Sequence, residues 1–148
     1  MDNYSDIAVN NFKAGYNCAQ SVFLAFAKDC GFDEETALKI SSSFGGGMGR
    51  LREVCGAVTS LFAIAGIKKG YISPNNDDEK TKHYELIQHL AEEFKKEHGT
   101  IICRELLGLP DGADEPTPSK RTEQYYQERP CENFIKTAAK IIEKELLK

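Results

Sequence analysis

The sequence predicts an all-α fold, a single domain over 1–148 in which six or seven helices surround a central apolar helix at about 50–67. Three observations predict it. Apolar residues recur at helical spacing along most of the chain, and no alternating β-branched run bounded by hairpin turns stands out. Helix start signals (Asn17, Asp33, Pro130) and glycine stops (Gly15, Gly31, Gly99) punctuate the periodic stretches. From Val54 to Ile67 there is no charged residue. That run of about 14 residues suits a buried helix and falls short of the roughly 20 needed to span a bilayer.

Residues 2–14 form a first helix with Ile7, Ala8, Asn11, Phe12 and Ala14 on a partly apolar face, stopped at Gly15. A second opens at the N-cap Asn17, which places Cys18 in its first turn near the stripe Val22, Ala25 and Phe26, and closes at Cys30-Gly31. The third begins at Asp33, sets Glu34 and Glu35 against the positive end of its macrodipole, and runs to about Ser43. A glycine-dense loop, Phe44 to Gly49, then leads through Arg50 and Arg52 into the central helix, which ends at Gly66 or Gly70. After the polar turn Ser73-Pro74-Asn75-Asn76, Asp77 to His98 is the longest amphipathic stretch, striped by Tyr84, Ile87, Leu90, Ala91 and Phe94. This helix could also serve a homodimer. A short helix from Thr100 to about Leu107 carries Cys103 in its first turn, with Thr100 as cap. Leu109 to Lys120 is a loop of prolines, glycine and acids, long enough to be a cover over a site or an unstructured surface segment. Arg121 to Arg129 reads as a helical turn. Pro130-Cys131 opens the last helix, whose apolar face is Phe134, Ile135, Ala138, Ala139, Ile141, Ile142 and Leu146.

A chain of 148 residues can bury a core of its own. Its net charge of −4, with basic residues gathered on no one stretch, argues against nucleic-acid binding and against a polybasic membrane patch. The stretch Met1 to Asp6 has neither a basic nor an apolar signal region, so a reducing cytoplasm is the expected compartment. Five cysteines fall at positions 18, 30, 55, 103 and 131 with no C-x-x-C pair among them. A local zinc knuckle or a thioredoxin-type motif is therefore excluded, and a static disulfide framework is not expected.

Four of the five, Cys18, Cys55, Cys103 and Cys131, are expected in the first turn of a helix, and Cys30 at a helix end. Helix N-termini present free N–H groups and partial positive charge, which stabilise thiolates. Thiolates are both redox nucleophiles and metal ligands. Taken singly, each cysteine reads as buried packing; taken together, the four point to a shared site. Cys55 has a helix start, the glycine loop and two nearby arginines, which makes it the expected attacking thiol, with Cys18 or Cys103 as its resolving partner. Arg50 and Arg52 read as solvated, with a secondary reading in which they tune Cys55; Arg104 could polarise Cys103. The loop contains no G-x-x-x-x-G-K-[ST] and lacks a strand before it, so it is neither a P-loop nor a dinucleotide fingerprint. Its glycines either allow close helix approach or form, with Gly46, Gly47, Gly49 and Arg50, a cradle of N–H groups for an anion or cofactor. His83, His89 and His98 lie on the polar side of a long helix and are not expected as ligands, and Asp111, Asp114 and Glu115 read as solvated.

Several segments resemble a known family. Asn17-Cys18-Ala19-Gln20-Ser21, Gly45-Gly46-Gly47-Met48-Gly49 followed by Cys55-Gly56-Ala57, Cys103-Arg104-Glu105-Leu106-Leu107-Gly108, and Cys131 before an apolar helix follow one another in the order of the C_GCAxxG_C_C family. The similarity covers about residues 12–140. One position departs from the Cys-Gly-Ala-x-x-Gly motif: its last glycine is Ser60 here, a residue small enough for close packing whose hydroxyl could face the site. Cys30 lies outside the pattern and reads as structural. The resemblance implies redox or metal chemistry at Cys18, Cys55, Cys103 and Cys131, and names neither a substrate nor a redox partner. Three readings stand open on the sequence. One is a redox-active protein using clustered thiolates. The second is a four-cysteine module for zinc or an iron–sulfur cluster. The third is a helical interaction scaffold with inert cysteines.

Overall fold

The computed structural model describes residues 3–147, less the side chains of Gln127 and Glu128. It is all-α, as expected, with eight helices among the described residues rather than six or seven. They are α1 (Tyr4–Lys13), α2 (Cys18–Ala25), α3 (Glu34–Ser42), α4 (Gly56–Lys69), α5 (Asp77–His98), α6 (Cys103–Leu107), α7 (Glu123–Glu128) and α8 (Cys131–Leu146). The caps are those the residues dictate. Asn3, Asn17, Asp33, Asn76 and Thr122 each accept a backbone N–H three residues on, and Gln20 completes a capping box with Asn17. Gly99 and Gly108 end α5 and α6 in the left-handed conformation.

Helix α4 is central. Ala57, Val58, Leu61, Ile64 and Ala65 are fully buried, and the helix packs against α2 and α8, with α5 laid over it. Around it Phe12 of α1, Phe23 and Phe26 at the end of α2, Phe94 of α5 and Ile135 and Ile142 of α8 close a single core. Burying an aliphatic or aromatic side chain of this size contributes roughly 1.5–3 kcal/mol, so these few residues carry much of the fold.

The central helix starts at Gly56, not at residue 50. The chain before it cannot be helical, because residues 46–50 turn left-handed and Val54 is extended, forming an antiparallel bridge with Ile102. Helix α2 ends at Ala25, short of Cys30, and a run of turns carries the chain to Phe32. Tyr84 is half exposed rather than part of the α5 seam, its hydroxyl 2.8 Å from that of Tyr71. His98 faces α8, not solvent, with Nε2 2.8 Å from Thr137 Oγ1 and its ring between Phe94 and Phe134. Among the described residues, no helix is long and apolar enough to cross a membrane.

Candidate functional site

Cys18, Cys55, Cys103 and Cys131 meet at one place. Cys18, Cys103 and Cys131 are the first residues of α2, α6 and α8, and Cys55 is the N-cap of α4. All four line a cavity of about 270 Å³. Cys30 does not line it; it packs against the edge of the core.

The glycine loop builds the cavity's inner wall. Gly46, Gly47, Met48, Gly49 and Arg50 form an unbroken left-handed run with φ between 60 and 70°, and Arg52 follows at 62°. Left-handed backbone costs an L-residue roughly 1–2 kcal/mol, so Met48, Arg50 and Arg52 hold strain that the surroundings must offset. They do so through backbone hydrogen bonds from Arg50 to Gly45 (3.2 Å), Arg52 to Gly46 (3.2 Å) and Glu53 to Gly47 (2.9 Å). Strain of this kind concentrates at functional sites. Gly46, Gly49 and Arg50 line the cavity, whereas Gly47 stands behind it against Cys103. Gly56 is equally tight: a Cβ there would lie 2.6 Å from the Cys18 sulfur and 2.8 Å from the Phe44 carbonyl.

The close approach of Gly46 and Gly56 serves Cys18. Its thiol is drawn down to about 6, first by a hydrogen bond from Cys55 and then, against burial, by the N–H groups of Gly46, Gly56 and Ala19. Cys55 goes the other way. Its proton is held by Cys18, burial and the neighbouring sulfur charge add to this, and its thiol lies well above the usual range. Burial raises Cys103, with Arg52 pulling against it, and burial together with the charges of Cys18 and Cys103 pushes Cys131 up to about 12. The causes that set Cys55 are Cys18, burial and the N–H groups of Ala57 and Val58, not the arginines of the secondary sequence reading.

Arg52 is not solvated but 4% exposed. It donates from Nη1 to Cys103 Sγ (3.5 Å) and pairs through Nη2 with Asp114 (2.7 Å). Burial opposes its charge, but these bonds outweigh it and hold it protonated. Arg104 turns away from Cys103 toward Glu53 and Asp111, at 3.7 and 3.8 Å. Asp114 is exposed, as the sequence reading has it, and Arg52 nevertheless pins its carboxylate and lowers its pKa. The loop after α6 covers the cavity. The Asp114 N–H donates to Arg50 O (2.9 Å), and Arg50 donates to Glu115 O (2.6 Å) and Ser119 Oγ (3.3 Å). Pro116, Pro118 and Ser119 then close one side of the cavity. Asp114→Asn is expected to loosen this anchor, because it removes the charge that pairs with Arg52 and Arg50. Limited proteolysis should find residues 109–120 cut faster, and an unchanged cleavage rate would mean the loop is held by other contacts.

Sequence reasoning missed Arg121 and Arg129. Arg121 donates to the carbonyls of Phe12 and Tyr16, both at 3.0 Å, and lies 4.4 Å over the Phe12 ring. No local motif marks either residue, because both reach the cavity only through the fold. Ser60 is buried and donates to the Ala19 carbonyl at 2.7 Å, so its hydroxyl ties α4 to α2 and does not line the cavity.

A single tetrahedral zinc would need its sulfurs roughly 3.8 Å apart, given Zn–S bonds of about 2.3 Å. Among the described residues, the group of three ligand-type side chains that could hold a metal ion is His89, Glu93 and Glu145, on α5 and α8, whose ligand atoms lie within 4.8 Å of one another; no three of the cysteines form such a group. There Glu93 is already paired with Lys96 at 2.6 Å.

Residues 16–145 match the family model described as "Putative redox-active protein (C_GCAxxG_C_C)". Searches of curated proteins and of solved structures find no match. With that model covering nearly the whole chain, and the four cysteines brought to one cavity, the protein belongs to the C_GCAxxG_C_C family.

Proposed function

We propose that the protein carries out thiol–disulfide redox chemistry through Cys18 and Cys55, with Cys18 as the attacking thiolate and Cys55 as the resolving thiol. The observation that carries this reading is the placement of Cys18 and Cys55 side by side on one cavity, with the Cys18 sulfur so close to Gly56, the residue after Cys55, that a Cβ there would lie 2.6 Å from it; the Cys55 thiol and the N–H groups of Gly46, Gly56 and Ala19 favour charge on Cys18. One thiolate and one thiol in contact are the reactants of a dithiol–disulfide couple. The roles are the reverse of those expected from the sequence, because the thiolate-stabilising groups surround Cys18. Cys103 and Cys131 stay protonated near neutral pH and form the opposite wall.

The test is mild oxidation followed by thiol counting and peptide mapping. Two thiols should disappear reversibly as a Cys18–Cys55 disulfide, and neither Cys18→Ser nor Cys55→Ser should form it. Five inert thiols in the wild type would overturn the reading and leave a scaffold.

A second reading is supported by one observation, the placement of all four cysteines on one cavity. Sulfurs spread wider than a single zinc requires suit the larger perimeter of an iron–sulfur cluster, which Cys18, Cys55, Cys103 and Cys131 would hold. Such a cluster would supply one-electron transfer. Stoichiometric iron after anaerobic purification, with four protected thiols, would favour it over thiol exchange.

A further inference from the structure

Among the described residues, the cavity that holds Cys18 is walled by four guanidinium groups, from Arg50, Arg52, Arg121 and Arg129, and by no carboxylate. Asp114 offsets part of this charge from outside the lining, pairing with Arg50 and Arg52. Arg121 is occupied by backbone carbonyls. Arg129 is different. Among the described residues its guanidinium has no hydrogen bond or ion pair; it lies 5.9 Å from the Tyr125 ring and acts on the Asp114 carboxylate, Cys103 and Cys131 through its charge alone. A half-buried guanidinium on the wall of a cavity, with no hydrogen-bond partner among the described residues, is the group that recognises a carboxylate or similar anion. The rest of the lining, including Phe12, Leu106, Pro116 and Phe134, is apolar and would contact a short carbon chain. At about 270 Å³ the space fits a small molecule.

We propose that the substrate is a small disulfide carrying negative charge, its anionic group bound by Arg129 and one of its sulfurs placed against Cys18. The proposal rests on the thiol–disulfide reading above. The Cys18 thiolate attacks one sulfur of R–S–S–R, forming Cys18–S–S–R and expelling RS⁻, which takes the Cys55 proton. The Cys55 thiolate then attacks the Cys18 sulfur, forming the Cys18–Cys55 disulfide and expelling the second RS⁻, protonated by water. The protein loses two electrons and the small disulfide gains them as two thiols. A dithiol such as dithiothreitol returns the protein to its reduced form.

Three disulfides of similar size test it: 3,3′-dithiodipropionate (anionic), 2-hydroxyethyl disulfide (neutral) and cystamine (cationic). Each is mixed with reduced protein, and the 2 Da mass loss of the protein is followed in time. Rates are divided by those of a small free thiol with the same reagent. The normalised rate should be at least about tenfold higher for the anionic than for the neutral disulfide, lowest for the cationic one, and the spread should shrink in ~0.5 M salt. Arg129→Gln should remove most of the preference and Arg129→Lys should keep much of it, with helical circular dichroism confirming both folds. Equal normalised rates for the three reagents in the wild type would overturn the substrate assignment while leaving the thiol reading intact. No reaction with any of them would overturn both.

Discussion

A neutral alkylating reagent such as iodoacetamide should label Cys18 along a titration curve centred near pH 6, and Cys55→Ala should move that midpoint upward. In the wild type the cause is local: the Cys55 S–H and three backbone N–H groups donate to the Cys18 sulfur. Only the charged form of Cys18 can accept all of them well, so the protonated form is the one penalised. The rate at neutral pH is a poor readout. With a pKa of about 6 against an ordinary 9.0, the thiolate fraction at pH 7 rises some ~90-fold, but the lower basicity costs about 16- to 30-fold in nucleophilicity. The advantage over an ordinary thiol is then about 3- to 6-fold at pH 7, and about 30- to 60-fold at pH 5. The pH profile carries the information. Removing the Cys55 donor takes away the largest single contribution, and a hydrogen bond to a charged group of about 1.5–3 kcal/mol corresponds to one to two pH units. A wild-type midpoint near 9, or a midpoint unmoved by Cys55→Ala, would sink the assignment of Cys18 as the attacking group. Stability is linked with the same sign. The folded pKa of Cys18 lies below its unfolded value, so its contribution is fully present above about pH 9 and is lost as the pH falls through about 6.

The helices were legible because their signals are local. Asn17, Asp33 and Gly99 state where a helix starts or stops within three or four residues, and the structure places caps at all three. The convergence of the four cysteines was legible from their places at helix starts together with the family's motif order. Which thiol is charged was not, because the donors to Cys18 come from residues 28 and 38 positions downstream, Gly46 and Gly56. Proximity in sequence pointed instead to Arg52 beside Cys55, yet the left-handed turn sends that guanidinium to Cys103 and Asp114. The length of the 109–120 loop allowed a cover; its anchor, one aspartate among three loop acids, depends on the position of a buried arginine that no periodicity fixes.

Gly47→Ala should be among the most damaging single-methyl additions at the site, costing about 3 kcal/mol. Two penalties combine there. The backbone sits at φ +68°, where a side chain costs about 1–2 kcal/mol. The new Cβ would also lie 2.6 Å from Cys103 Cβ and 2.9 Å from both Arg52 Cα and the Glu53 nitrogen, and overpacking of this kind costs about 1–3 kcal/mol. Little can yield, because Glu53 is bonded to Gly47 O (2.9 Å) and to the Cys103 N–H (2.6 Å) at the same point. For a chain of this length the loss should lower Tm by roughly 6–12 °C. Gly49→Ala separates the two penalties. Its φ is +60°, but its Cβ would meet only the Ser43 carbonyl at 3.6 Å, so strain alone remains and the cost should be about 1 kcal/mol. Equal losses for the two variants would show that the Cys103 wall is soft and that Gly47 serves only the turn. A larger loss at Gly47 should come with a second change, a higher alkylation midpoint for Cys18. The Gly46 N–H that helps charge Cys18 is fixed by the same turn, so displacing the turn from Cys103 also withdraws that donor from the reactive sulfur.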